Sequence, residues 1–167
     1  MQTDNKFYEN NEYVLFKSGY PSQWYPSEFI IDNKTYVNCE QYMMEQKALL
    51  FNDYEIAKQI MIETDPKIHK ELGRKVANFD ADKWNEIADE VVFKANYAKY
   101  SQNPMLYEKL IESGNKKYVE CAPYDKIWGN GLDINTTLQT PEEDWKGTNR
   151  LGKAIMRVRN ELKLNNL

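Results

Sequence analysis

Two ionisable side chains fall where an amphipathic helix should carry none. On a wheel turning about 100° per residue, CEQYMMEQKALLF gathers Cys39, Tyr42, Met43, Leu49 and Leu50 on one arc. Met44, Ala48 and Phe51 follow on the next, while Gln41, Glu45 and Asn52 group as the expected solvent face. Glu40 and Lys47 land in the gap between the apolar arcs. A lone buried charge costs several kcal/mol unless it is answered. Either the two charges form a structural ion pair that fixes the helix against a loop, or a ligand answers both. Two helical turns, about 10 Å along the axis, separate their backbones and disfavour direct contact. A carboxylate and an amine so placed could move protons and attack an electrophilic carbon.

Further candidates cluster in loops. Asp125, in CAPYDKIWGNG, could hydrogen-bond a ribose hydroxyl, transfer a proton, or simply cap its own turn. Trp128 follows it. Gly129 and Gly131, flanking Asn130, would let backbone N–H groups approach an anion. Asn149, after Trp145-Lys146-Gly147-Thr148, opens the last helix and reads as an anion-binding helix start or as a plain cap. Gln23, Trp24 and Tyr25 sit in the Pro-bounded PSQWYPS, where aromatics could stack on a base or cover a core edge. Arg74, after Gly73, is a phosphate partner or a solvent-facing side chain.

Composition removes other chemistries. His69 is the single histidine of the chain and lies among charges in KIHKELGRK, on an expected surface helix. A histidine-based triad or multi-histidine metal site is therefore not expected. Cys39 and Cys121 form no CxxC, which excludes a zinc deaminase, and neither GxxxxGK[ST] nor GxGxxG occurs. The expectation is no metal and no cofactor. Net charge is -4, which argues against strong binding to bare nucleic acid but permits a local basic pocket. Residues 1–12 are polar and lack an apolar signal-peptide core, so reduced thiols and a cytoplasmic location are expected. No apolar run approaches the roughly 20 residues that span a bilayer.

The positioning elements read as α+β, mainly helical, with short antiparallel strands. Residues 1–12 are a polar lead-in and 13–167 one domain. A strand is expected at Tyr13–Phe16, and a hairpin from Glu28–Ile31 and Thr35–Val37 around Asp32-Asn33-Lys34. Helices are expected at Cys39–Phe51 capped by Asn38, Tyr54–Glu63, and from Asp65-Pro66 to Gly73. Others follow at Ala81–Ser101, Pro104–Glu112, and from Asn149 to Lys163. Lys117–Cys121 reads as strand. Ala122–Thr148 reads as one long loop, functional rather than disordered, because disordered segments are usually poor in Trp and in such constrained spacing.

In order along the chain, SQWYPSEF, TYVNCEQYMMEQKALLF, LGRKVANFD with Trp84, YVECAPYDKIWGNG and WKGTNRLGKAIMRVRNEL resemble the NADAR superfamily of YbiA-like proteins. Together these stretches cover roughly residues 13–162. The resemblance implies a mainly helical α+β fold that cleaves bonds between ribose and an amino nitrogen. Activities in that family include removal of ADP-ribose from the guanine amino group in nucleic acid. Another is N-glycosidase action on phosphoribosylamino-pyrimidine intermediates of riboflavin biosynthesis. Glu40, Lys47 and Asp125 fall on the family's acidic, lysine and WG-preceding aspartate positions. The implied partner is a ribose-phosphate or ADP-ribose-containing substrate, free or as ADP-ribosylated guanine. A non-catalytic ADP-ribose or NAD-binding module is the competing reading. Cys39 departs from the small Ala or Ser usual before the glutamate, Asn33 replaces a common turn Gly, and Leu132–Asp144 lies where the family varies.

Overall fold

A computed structural model describes residues 5–166. Among them the chain folds into two compact units. One comprises the described residues up to Ser22 and those from Met105 onward; the other is Gln23–Pro104. The class is α+β and mainly helical.

Gln23–Pro104 is built around a single helix. Strands β3 (Phe29–Ile31) and β4 (Lys34–Tyr36) form the expected antiparallel hairpin, with Ile31 opposite Lys34. Both turn residues, Asp32 and Asn33, have positive φ (52° and 65°), the conformation that matches a two-residue turn to strand twist. Helix α1 (Cys39–Leu50) starts where Asn38 accepts the Gln41 amide at 2.8 Å. Helices α2 (Tyr54–Ile62), α3 (Pro66–Gly73) and α4 (Ala81–Gln102) pack around it. Asp53, Asp65 and Asp80 cap these three with their carboxylates.

This packing overturns one reading of α1. Gln41 and Glu45, placed on a solvent face by the wheel, are buried. Gln41 donates to the Ile60 and Glu63 carbonyls and accepts from the Val37 amide. Glu45 accepts from the Tyr36 hydroxyl at 2.5 Å and from Lys34 at 3.1 Å. Neighbours far along the chain supply the polar partners that a helical wheel cannot see, so α1 is covered on nearly every side.

His69 is the second correction. Far from lying on a surface, it is fully buried on α3, with Nε2 2.8 Å from the Glu63 carbonyl and Nδ1 without a partner. Burial lowers its pKa, and the Glu63 contact opposes this only in part. A depressed folded-state pKa means that the unfolded chain takes up the proton first, so stability is full above the ordinary histidine value of about 6.5 and falls as pH drops through it. Urea midpoints should therefore decline between pH 7.5 and pH 5, and His69→Gln should flatten that decline. An equal slope in both proteins would refute the assignment.

The other unit carries a three-stranded sheet in the order β1-β2-β5. Strand β1 (Phe7–Glu9) lies inside the stretch read as polar lead-in and pairs antiparallel with β2 (Tyr13–Phe16). Residues 1–4 of that lead-in, and residue 167, lie outside the described residues. Strand β5 (Lys117–Glu120) joins β2 in parallel, not antiparallel. It follows α5 (Pro104–Glu112), which ends near Gly114 at φ 62°. The expected loop of 122–148 contains α6 (Ile134–Leu138), capped by Asp133, and a 3-10 turn at Glu142–Asp144. Leu15, Val119, Cys121 and Ile134 form a buried cluster beside Trp145. Helix α7 (Arg150–Asn165) packs on β5. Among the described residues no helix is long and apolar enough to cross a membrane.

Candidate active site

In Gln23–Pro104, Glu40 occupies the first turn of α1 and Lys47 the last. Those signs suit the helix macrodipole, an effect worth about 0.3–1 kcal/mol at a surface. Glu40, however, is only 7% exposed, and burying a carboxylate costs several times that. The dipole therefore explains the signs but not the burial. Lys47 is half-buried, its ammonium 4.4 Å from the centre of the Phe79 ring. Burial lowers its pKa; the Glu40 charge pushes the other way, and Arg74 lowers it further. Lys47 thus feels both a buried carboxylate and a second cation.

The 23–25 loop is tied to this helix. The Gln23 carbonyl accepts the Glu40 amide at 3.1 Å, and Gln23 Oε1 accepts from Asn96 Nδ2 at 2.8 Å. Trp24 and Tyr25, next in sequence, keep 40% and 37% of their surface exposed, so neither is a core residue. Lys70 lies 6.0 Å from the Trp24 ring and Lys99 5.6 Å from the Tyr25 ring. Arg74 is exposed at the end of α3.

The remaining candidates belong to the other unit. Asp125 Oδ1 accepts the Ile127 and Trp128 amides at 3.0 and 2.9 Å, so the carboxylate closes its own turn. Trp128 stacks against Arg150, whose guanidinium carbon lies 4.5 Å from the ring. Gly129 and Gly131 serve packing. A Cβ on Gly129 would come 2.8 Å from the Glu120 carbonyl, and Gly131 has φ 77° with Gly147 close by. Backbone amides leading into the last helix are engaged within the chain. The amides of Gly147, Thr148, Asn149, Arg150 and Leu151 all donate to carbonyls of residues 126–130. Asn149 itself adopts left-handed geometry (φ 51°) and makes no side-chain cap. Its side-chain amide donates from Nδ2 to the Tyr118 carbonyl and accepts the Glu120 N–H at Oδ1, tying the helix start to β5.

A model of the NADAR domain matches residues 6–163, through both units. The chain belongs to the NADAR family. It is 40% identical over 166 residues to N-glycosidase R617 of Acanthamoeba polyphaga mimivirus, covering 92% of this chain and 98% of that protein. N-glycosidase YbiA of Escherichia coli K12 is 29% identical over 132 residues, covering 79% and 74%. The solution structure of E. coli YbiA superposes with a TM-score of 0.77 at 25% identity, covering 96% of this chain and 90% of that one. Riboflavin biosynthesis protein VVA0006 of Vibrio vulnificus is 26% identical over 93% of this chain but only 38% of its own length. The activity class of this NADAR chain is accordingly N-glycosidase.

Sequence reasoning missed one charged residue of this NADAR domain. Lys99, on α4, is fully buried, its ammonium 5.2 Å from the Tyr100 ring centre and 5.6 Å from that of Tyr25. Burial lowers its pKa to about 8, with the Cys39 thiol opposing. The signal was present: Ala88, Val92, Ala95 and Lys99 follow one another at helical spacing on the buried stripe. An ammonium there costs several kcal/mol, of which cation–π contacts offset about 1–2 each.

Proposed function

We propose that this chain hydrolyses the bond between ribose C1′ and an amino nitrogen, releasing ADP-ribose from the exocyclic amino group of guanine. The observation that carries this reading is the 3.1 Å bond from the Glu40 amide to the Gln23 carbonyl. It joins the backbone of the loop carrying two exposed aromatics, suited to a base, to the residue bearing a buried carboxylate suited to proton transfer. In the reaction, the C1′–ring-oxygen bond opens and the nitrogen lone pair forms a C1′=N iminium, with Glu40 protonating the ring oxygen. Lys47 Nζ attacks C1′; the C1′–nitrogen bond then breaks as the guanine amine takes back a proton through Glu40. Water adds to the Lys47 imine, the C1′–Nζ bond breaks, and free ADP-ribose leaves. One water is consumed and Lys47 is regenerated neutral. The lowered pKa of Lys47 supports its part, because only the neutral amine attacks. Arg74 is assigned to a substrate phosphate. The proposal places the chain in the cytoplasm, where Cys39 and Cys121, both buried free thiols, stay reduced.

A second substrate, the phosphoribosylamino-pyrimidine of riboflavin synthesis, is favoured by the name of the Vibrio relative. Offering ADP-ribosyl-guanosine and this precursor to one enzyme preparation, with products read by mass spectrometry, separates the two. Faster release of guanosine supports the proposal; turnover of the pyrimidine alone replaces it. No turnover of either, with tight ADP-ribose binding, would make the chain a binding module.

Asp125 is proposed to act through its charge as well as its turn. Asparagine keeps an acceptor for the Ile127 and Trp128 amides, whereas alanine removes it at a cost of about 1 kcal/mol or more. Asp125→Asn should therefore melt like wild type yet lose about a hundredfold in turnover. Wild-type turnover in Asp125→Asn, with losses only in Asp125→Ala, would reduce Asp125 to a turn residue.

A further inference from the structure

We infer that Lys99 is a positioning residue that holds the Tyr25 ring as the platform for the substrate base. The inference rests on the base-bearing substrate proposed above and adds which aromatic takes the base and what fixes it. The backbone around Tyr25 is pinned on both sides. Gln23 is bonded to Asn96 on α4 and to the Glu40 amide on α1, while Ser27 Oγ donates to the Tyr25 carbonyl at 3.0 Å and the Ser27 amide to the Val37 carbonyl at 2.9 Å. Only the ring then needs orienting. Lys99 lies one helical turn beyond Asn96, so the same stretch of α4 that grips the loop also supplies a cation 5.6 Å from the ring centre. Lys99 is wholly buried and Tyr25 is 37% exposed. One side of the ring therefore meets the ammonium, and its exposed surface is open to a stacking partner. Trp24 has a looser counterpart, with Lys70 at 6.0 Å and only partly buried. With no exposed atom, Lys99 cannot touch a ligand; it acts through Tyr25.

The test uses the full chain, with ADP-ribosyl-guanosine turnover and guanosine binding by calorimetry. Tyr25→Leu and Lys99→Met should each weaken guanosine binding and raise KM about tenfold, with kcat within about twofold. Lys99→Arg, which keeps the charge, should recover most of the loss. In the Tyr25→Leu background, Lys99→Met should add less than twofold, because the two act as one unit. Full additivity would overturn the inference, as would a loss confined to kcat. So would a borohydride-reduced substrate adduct on Lys99, which would make it the attacking amine. If Lys99→Met does not fold, the exposed Tyr25 still decides: unchanged KM and guanosine affinity in Tyr25→Leu refute the platform. If wild type binds guanosine as expected but releases none from ADP-ribosyl-guanosine, the reaction proposal fails and the platform stands.

Discussion

Glu40→Gln should lose about a thousandfold in turnover while binding ADP-ribose nearly as well as wild type. A positioned acid–base group contributes roughly 10²–10⁴. Glutamine keeps the size and hydrogen-bonding reach of glutamate but carries no titrating proton. Its backbone contribution is unchanged, because the bond to the Gln23 carbonyl uses the main-chain amide. The cap of α1 is supplied by Asn38 and not by Glu40, so the helix start survives the substitution. Losing the charge at the positive end of the helix costs about 2 kcal/mol at most, while no longer burying a carboxylate acts in the opposite direction. Thermal stability should therefore change little. Single-turnover rates with ADP-ribosyl-guanosine, together with ADP-ribose affinity by calorimetry, check both halves. Undiminished turnover in Glu40→Gln would remove the acid–base role altogether. A parallel collapse of binding and melting temperature would instead make Glu40 a structural charge.

How much of this was legible in the sequence depended on how locally each feature is determined. The Asn38 cap, the Asp65-Pro66 start and the Asp32-Asn33 turn rest on a few consecutive residues, and all three form. Strand β1 does not: its Phe7 and Tyr8 become a strand only through pairing with Leu15 and Phe16. The parallel pairing of β2 with β5 joins Tyr13 to Lys117, a choice no short-range pattern encodes. Helix α6 had a local signal, the Asp133 carboxylate 2.7 Å from the Thr136 amide, hidden by the loop-like composition around it.

At the site, the wheel picked out Glu40 for a reason that holds only in part. It assumed one wet face on α1, yet Gln41 and Glu45 on that face are also buried. Glu45 serves structure, held by the Tyr36 hydroxyl and the Lys34 ammonium. Burial alone therefore does not mark a functional carboxylate. The adjoining aromatic loop and the perturbed lysine on the same helix give Glu40 its different standing. Lys99 shows the opposite failure, since a lysine in an Ala- and Val-rich stripe reads as a helix former until its surroundings are known.

Lys47→Met should abolish turnover to at least the extent of Glu40→Gln, and Lys47→Arg should not rescue it. An imine needs a neutral primary amine, which guanidinium cannot supply. With wild type, borohydride added during turnover of ADP-ribosyl-guanosine should leave a reduced ADP-ribosyl adduct on the peptide carrying Lys47. The pH dependence has a definite sign. Burial lowers the lysine pKa, so the neutral amine becomes abundant below the ordinary lysine value of about 10.4, and single-turnover rates should rise with pH before that value is reached. Arg74 shares in the lowering; removing its charge in Arg74→Gln should shift the rise to higher pH, whereas Glu40→Gln, which removes the opposing charge, should shift the residual rate's rise to lower pH. The rival route has water attack an oxocarbenium-like C1′ directly, with Lys47 serving only as a positive charge. That route predicts substantial activity in Lys47→Arg and no trapped adduct. The two outcomes exclude each other, so one trapping experiment and one conservative substitution decide whether the half-buried amine above Phe79 is a nucleophile or a counter-charge.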